Sequence, residues 1–231
     1  MPGGVGLERG LVAQIFRASA DTFARLVLLA AVLLFAGSLL LAGGYASSTY
    51  ASQVGWTIDQ PVPFSHKHHV GDDGLDCRYC HSSVEQSARA GLPPTHVCMT
   101  CHSQIWTGAK VLEPVRQSFA TGQPIAWMRV AQLPDFVFFN HSIHIKRGVP
   151  CAECHGRIDT MPLTYQAKPF QMQWCLECHR DPAPHLRPAA EVTMMPPPHR
   201  SQAAARRYGE EVIRMHHIDV ARLSNCVTCH R

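Results

Sequence analysis

Hydrophobic positions are spread unevenly along the chain. Leu26 to Tyr45, LVLLAAVLLFAGSLLLAGGY, is a 20-residue run with one aliphatic hydroxyl, Ser38, and no charge; no charged side chain occurs between Arg25 and Asp59. A helix of about 20 apolar residues matches the hydrocarbon thickness of a bilayer, so residues 26–45 predict one transmembrane helix. A cleaved secretory signal has a shorter apolar core, about 7–15 residues, behind a short basic region. The run here is longer and begins only at Leu26, behind an extended leading segment, which predicts an uncleaved signal-anchor. Arg9, Arg17 and Arg25 precede the span, and the first basic residue after it is Lys67. The positive-inside rule then puts residues 1–25 in the cytoplasm and the rest on the periplasmic side of a bacterial inner membrane, as a single-pass protein. Residues 11–24 read as an interfacial helix or a cytoplasmic extension of the span.

Beyond residue 46 the apolar pattern is short and broken. Residues 46–63 form a Ser/Thr/Gly/Pro-containing tether. Leu112, Val115 and Phe119 mark a short amphipathic helix that ends near Gly122. Residues 181–200 are interrupted by prolines and read as an extended strap. Ser201 is placed to cap a helix running to about Met215, with Tyr208, Val212 and Met215 on one face and Glu210 four residues before Arg214. Residues 61–231 contain 47 Ile, Leu, Val, Phe, Met, Trp and Tyr among 171 residues, about 27%, and 16 of the 17 prolines. That is thin for a self-sufficient core and hostile to a large sheet or helical bundle. Something other than side chains must fill the interior.

The cysteines identify it. All ten occur as Cys-x-x-Cys-His: Cys77/Cys80/His81 (site 1), Cys98/Cys101/His102 (site 2), Cys151/Cys154/His155 (site 3), Cys175/Cys178/His179 (site 4) and Cys226/Cys229/His230 (site 5). This is the attachment signature of c-type haem. Two thiols two residues apart reach the two vinyl groups of one porphyrin, and the next residue meets the iron as proximal ligand. Zinc binding by paired Cys-x-x-Cys motifs gives no reason for a His after each of five pairs. A redox dithiol needs a single site on a thioredoxin-like fold, and disulfides do not require the His. The expectation is five covalent haem c groups, with the porphyrins as the hydrophobic core. Their propionates offset the formal net charge of +4, and arginines pair with them, so the charge gives no case for a nucleic-acid partner. Phe136-Val137-Phe138-Phe139 reads as haem packing rather than a docking patch.

The chain also repeats. Phe64-Ser-His66-Lys-His-His69 recurs as Phe139-Asn-His141-Ser-Ile-His144, giving Phe-x-His-x-x-His twice. The haem motifs keep the same register. His66 to His141, Cys77 to Cys151, Cys98 to Cys175 and Cys151 to Cys226 are all steps of about 75 positions, an internal period. Residues 64–138 therefore form one dihaem module with its linker, 139–200 a second with the strap, and 201–231 a helix with a single site. Histidines three apart on a helical turn lie side by side. They cannot grip one iron from both sides, but each can ligate a different iron and so staple two haems together. His66, His69, His141 and His144 are accordingly the expected distal ligands. For the fifth, His216 fits the repeat, standing before Cys226 as His141 stands before Cys151; His217, Met161 and Met172 are alternatives. His68, His96, His185 and His199 are left as spares.

With these quoted segments in view, FSHKHH, LDCRYCH, GLPPTHVCMTCHSQIW, LPDFVFFNHSIH, CAECHGRIDTMPLTY and MQWCLECHR, the modules resemble class III multihaem cytochromes. Together with the anchor, the chain resembles the pentahaem (ActA-type) cytochrome subunit of alternative complex III. The resemblance implies a loop-rich, mainly α haem domain with little regular secondary structure behind one N-terminal membrane helix. It also implies a place in a membrane-bound quinol oxidoreductase, beside an integral-membrane quinol-binding subunit and an iron–sulfur subunit. Electrons would pass to a monohaem cytochrome c or another acceptor, with no catalytic chemistry in this chain. Two other classes compete. A catalytic multihaem reductase needs an open iron and often a Cys-x-x-Cys-Lys site, which is absent. A NapC/NrfH-type quinol dehydrogenase often carries Met two residues after a haem His, where this chain has Ser83, Gln104, Arg157 and Asp181.

Overall fold

The computed structural model describes residues 16–17 and 19–230. Expectations for residues 1–15, including Arg9 and the start of the 11–24 segment, lie outside the described residues. The chain divides into two compact units, residues up to 51 and from 52 onward.

The first unit is dominated by helix α1, Ser19–Ala46, with no buried residue. Its most apolar 18-residue window has a mean hydropathy of 2.6, so the helix is long and apolar enough to cross a membrane. Its 28 residues exceed the expected span because a polar turn precedes the apolar run. There Asp21 and Arg25 form an exposed i,i+4 ion pair of 2.9 Å. Within the apolar stretch, the Ser38 hydroxyl donates to the Phe35 carbonyl at 2.7 Å. The one aliphatic hydroxyl of the stretch is thus satisfied inside the helix, as a lipid environment requires.

The second unit has no strands among the described residues, only the isolated bridges Thr57–Tyr165 and Val137–His230. Short helices and turns alternate with irregular segments. Helix α2 spans Thr95–His102, α3 Glu113–Thr121, α4 Met172–Arg180 and α5 Gln202–Met215. Helix α3 ends as expected, at Gly122, whose φ of +71° is the left-handed conformation glycine adopts freely. Its buried face is Val115 with Ser118, not Phe119, which is 54% exposed. Ser118 is held there by hydroxyl contacts with Thr95 at 2.6 Å and the Gln123 carbonyl at 2.5 Å. A small cluster of Val62, Leu112 and Val115, joined by Met99, Ile125 and Trp127, packs around α2 and α3. Met161 is the one large side chain that is fully buried among those described. The side-chain core is therefore as thin as the composition predicts.

Ser201 caps α5 by accepting from the Ala204 N–H at 3.3 Å, as expected. The strap departs from an extended reading. It turns twice into 3₁₀ helix, at Ala183–His185 and Ala189–Glu191, and buries Leu186 and Val192. Helix α5 packs on the first of these turns through Ala205, Gly209 and Val212, which share one face. A Cβ on Gly209 would lie 1.8 Å from the Ala183 carbonyl oxygen, so only glycine permits this approach. Gly209→Ala is expected to destabilise the domain by about 1–3 kcal/mol, the usual cost of overpacking. A midpoint in denaturant unfolding lowered beyond that of exposed Ala203→Gly, which carries only the about 0.5–1 kcal/mol cost of glycine in a helix, checks this.

Candidate haem-binding sites

Each Cys-x-x-Cys pair sits on a helical turn, so the residues three apart point to one side. Sites 1, 3 and 5 are single turns, Cys77–Cys80, Cys151–His155 and Cys226–Cys229. Sites 2 and 4 lie in α2 and α4. The turns begin where extended backbone meets a cap. At site 1 this is Asp76, which accepts from the Arg78 N–H at 2.8 Å and the Thr193 hydroxyl at 2.8 Å. The Arg78 guanidinium, hydrogen-bonded to Asp76, holds that carboxyl down to about 2. Among the described residues no three His, Cys, Asp or Glu side chains converge, as a four-coordinate zinc site would need.

The histidines share one arrangement. In the proximal set, Nδ1 of His81 lies 2.8 Å from the Gly91 carbonyl, of His102 3.4 Å from Ile105, of His179 3.0 Å from Leu223 and of His230 3.3 Å from Phe136. In the distal set, Nδ1 of His69 lies 2.9 Å from the Ser65 carbonyl, of His141 2.9 Å from Ala88 and of His144 2.7 Å from Asn140; His66 Nδ1 is 2.8 Å from the Thr164 hydroxyl. A carbonyl can only accept, so in these seven imidazoles Nδ1 carries the proton. That leaves Nε2 with a lone pair, the tautomer a metal ligand needs, with a backbone partner fixing the ring. Burial also pushes His66 and His155 down to about 4, with neighbouring histidines adding to the effect. His144 is lowered chiefly by burial. These rings are neutral donors at neutral pH.

The rings also face one another in pairs. His69 and His102 have centroids 6.1 Å apart, His144 and His179 6.2 Å, and His141 and His155 6.4 Å. Two imidazoles on opposite sides of one metal, with bonds of about 2.0 Å, place their centres about 6 Å apart. His66 lies within electrostatic range of His81, His69 and His155. The residues therefore fit bis-imidazole haem. In the second repeat the first His faces the nearer motif, and in both repeats the second His faces the following one.

The Phe of the repeat proves part of the site, a role pattern reading left unassigned. Phe64 meets His66 edge-on at 4.9 Å and stacks on His69 at 4.4 Å. Phe139 meets His141 edge-on at 4.7 Å and stacks on His144 at 4.5 Å. The two copies agree closely although the first staple lies at a π-helical turn, Lys67–Asp72, and the second in an α-helical one, His141–Lys146. Within the rest of the apolar run, the Phe136 ring lies beside His230 of site 5, with centroids 5.7 Å apart.

The fifth distal position is not formed in the same way. His230 has the Phe136 ring as its neighbour, 5.7 Å away. His216 follows α5 as its C-terminal cap, and His216 and His217 are exposed. Asp219, which replaces the second His of the pattern, caps the turn Val220–Leu223 by accepting from Arg222 N–H at 3.3 Å. Met161 is buried beside Gly156, and Met172 is 62% exposed at the start of α4. Among the spare histidines, His185 pairs with Glu153 at 2.7 Å and His68 stacks on Trp106 at 6.5 Å; His96 and His199 are exposed. A cleft of about 320 Å³ beside site 3 is lined by Arg157, Lys168 and Arg187 with Glu153. These are cations of the kind that pair with propionates.

Comparison with known proteins agrees with this chemistry. Residues 137–231 match the family model of cytochrome c7 and related cytochrome c. The menaquinone reductase multihaem cytochrome c subunit of Nitratidesulfovibrio vulgaris (strain Hildenborough) is 40% identical over 99 residues, 42% of this chain and 46% of that protein. The chain thus spans less than half the length of this curated relative. It carries a multihaem cytochrome c domain, mostly helix and loop, behind an apolar helix able to cross a membrane.

Proposed function

We propose that this chain is a membrane-anchored pentahaem cytochrome c that relays electrons within a quinone-linked oxidoreductase complex. The observation that carries the reading is the paired, Nδ1-tethered histidines beside Cys-x-x-Cys turns. The assigned proximal–distal pairs are His81 with His66, His102 with His69, His155 with His141 and His179 with His144. His230 is the fifth proximal ligand, and His216 is its partner on the register of the repeat alone. All ten cysteines form thioethers.

Bound haem supplies one-electron chemistry, tuned by its axial ligands, hydrogen bonds and burial. The chain's part is mechanical and electrostatic. Backbone carbonyls hold the imidazole tautomers, Phe64 and Phe139 hold two rings each, and Arg157, Lys168 and Arg187 offer charge to propionates. No side chain acts as acid, base or nucleophile. Residues 26–45 anchor the chain, with the haem domain on the side opposite the Arg-bearing N-terminus.

The relative is named for menaquinone reduction, whereas the resemblance to alternative complex III implies quinol oxidation. A relay of saturated sites serves either direction, and both readings place an integral-membrane quinone-binding partner beside it. The alternative complex III form adds an iron–sulfur subunit and a cytochrome c or other acceptor. Purifying the membrane complex and identifying its subunits tests the assembly. Intact mass of the denatured chain is expected to exceed that of the polypeptide by five haems. The bare polypeptide mass would reject the reading. EPR and near-infrared spectra are expected to show His/His centres, and two or more His/Met centres would overturn the ligand set.

A further inference from the structure

The five attachment sites touch one another through named contacts, and those contacts give an order that differs from sequence order. Sites 2 and 1 meet where the Tyr79 hydroxyl lies 2.8 Å from the Thr100 hydroxyl, each residue inside a Cys-x-x-Cys turn. Sites 1 and 3 share the strap. Cys77 Sγ contacts the Thr193 carbonyl at 3.8 Å, and the Cys151 N–H donates to the Val192 carbonyl at 2.9 Å. Sites 3 and 4 are stapled through Phe139, His141 and His144, with His141 beside His155 and His144 beside His179. Sites 4 and 5 meet where His179 Nδ1 donates to the carbonyl of Leu223, just ahead of Cys226, at 3.0 Å.

We infer that the sites lie in a single row in the order 2, 1, 3, 4, 5, with Cys98–His102 and Cys226–His230 at its ends. The inference rests on the proposed reading that all five sites carry haem. A thioether sulfur marks an edge of its porphyrin, so sulfurs that approach one another bring porphyrin edges together. Solvent exposure agrees independently. Cys101 of site 2 and Cys226 of site 5 are exposed, while the other eight cysteines are partly buried. Each step passes one electron from a reduced site to its oxidised neighbour, so donor loss and acceptor gain balance with no further reactant. The row takes electrons at one end and yields them at the other; the interior sites 1, 3 and 4 exchange only with their neighbours.

The test uses the full chain in detergent, after mass spectrometry has verified five haems in the parent. Site-resolved redox titration by NMR is run on C98A/C101A, which lacks site 2, and on C151A/C154A, which lacks site 3. Loss of site 2 is expected to shift the midpoint potential of one remaining haem, that of site 1. Loss of site 3 is expected to shift two, those of sites 1 and 4. His144→Met keeps every haem while changing the ligand at site 4, and so covers a failure of the cysteine variants to fold. It should move sites 3 and 5 and leave site 2 unchanged. Loss of site 2 shifting two or more haems, or His144→Met moving site 2, overturns the order. A parent with fewer than five haems instead overturns the functional reading.

Discussion

His144→Ala is expected to turn one haem in five from low-spin, six-coordinate to high-spin, and to add one carbon monoxide binding equivalent per reduced chain over the parent. His144 faces His179 at 6.2 Å, is stacked on Phe139 and is fixed by the Asn140 carbonyl. Alanine removes the donor, and no other described imidazole or thioether is placed against His179. An open position on haem iron is what admits exogenous ligands. Carbon monoxide difference spectra on the undenatured protein measure the gain. His68→Ala, which alters a ring stacked on exposed Trp106, should leave carbon monoxide binding at the parental level. Equal gains for both variants would remove His144 from the ligand set.

The second large effect concerns the anchor. Replacing residues 1–46 with a cleavable export signal is expected to move the haem domain almost entirely from the membrane to the soluble periplasmic fraction, with the same haem content per polypeptide. Helix α1 has no buried residue and forms a unit separate from residues 52 onward. Its apolar span is the only strong hydrophobic anchor among the described residues, and losing it costs far more than surface contacts replace. Haem staining of fractions from cells lacking the quinone-binding partner reads the result. Retention of the truncated chain in those membranes would show that the domain itself holds to the bilayer.

Much of this site was legible in the sequence because its chemistry is local. Cys-x-x-Cys-His places two thiols for porphyrin attachment and one imidazole for the iron within one short turn, and Phe-x-His-x-x-His places two imidazoles and their aromatic support within another. Ser201 and Gly122 signal their helix ends by the same local logic. What failed to show was long-range. The carbonyls of Ala88, Leu223 and Phe136 orient His141, His179 and His230 from far along the chain, and a carbonyl has no residue-specific letter. Phe119 fits the apolar face of α3 by period, yet Ser118 is buried because its hydroxyl donates to the Gln123 carbonyl and accepts from the Thr95 hydroxyl. The strap reads as extended from its prolines, while Leu186, Val192 and the close seat of Gly209 against Ala183 fold it into turns.

The aromatic clamp has a consequence for how such a chain can change. In each copy a single ring braces two imidazoles, which the proposed ligand set assigns to different prosthetic groups. A substitution at Phe64 or Phe139 would therefore disturb two centres together, and insertion of one residue between the histidines would break both. The linkers between clamps carry no such double duty. Divergence among chains of this kind should collect in those linkers, lengthening or rerouting the path between clamped pairs while the separation inside each pair stays fixed.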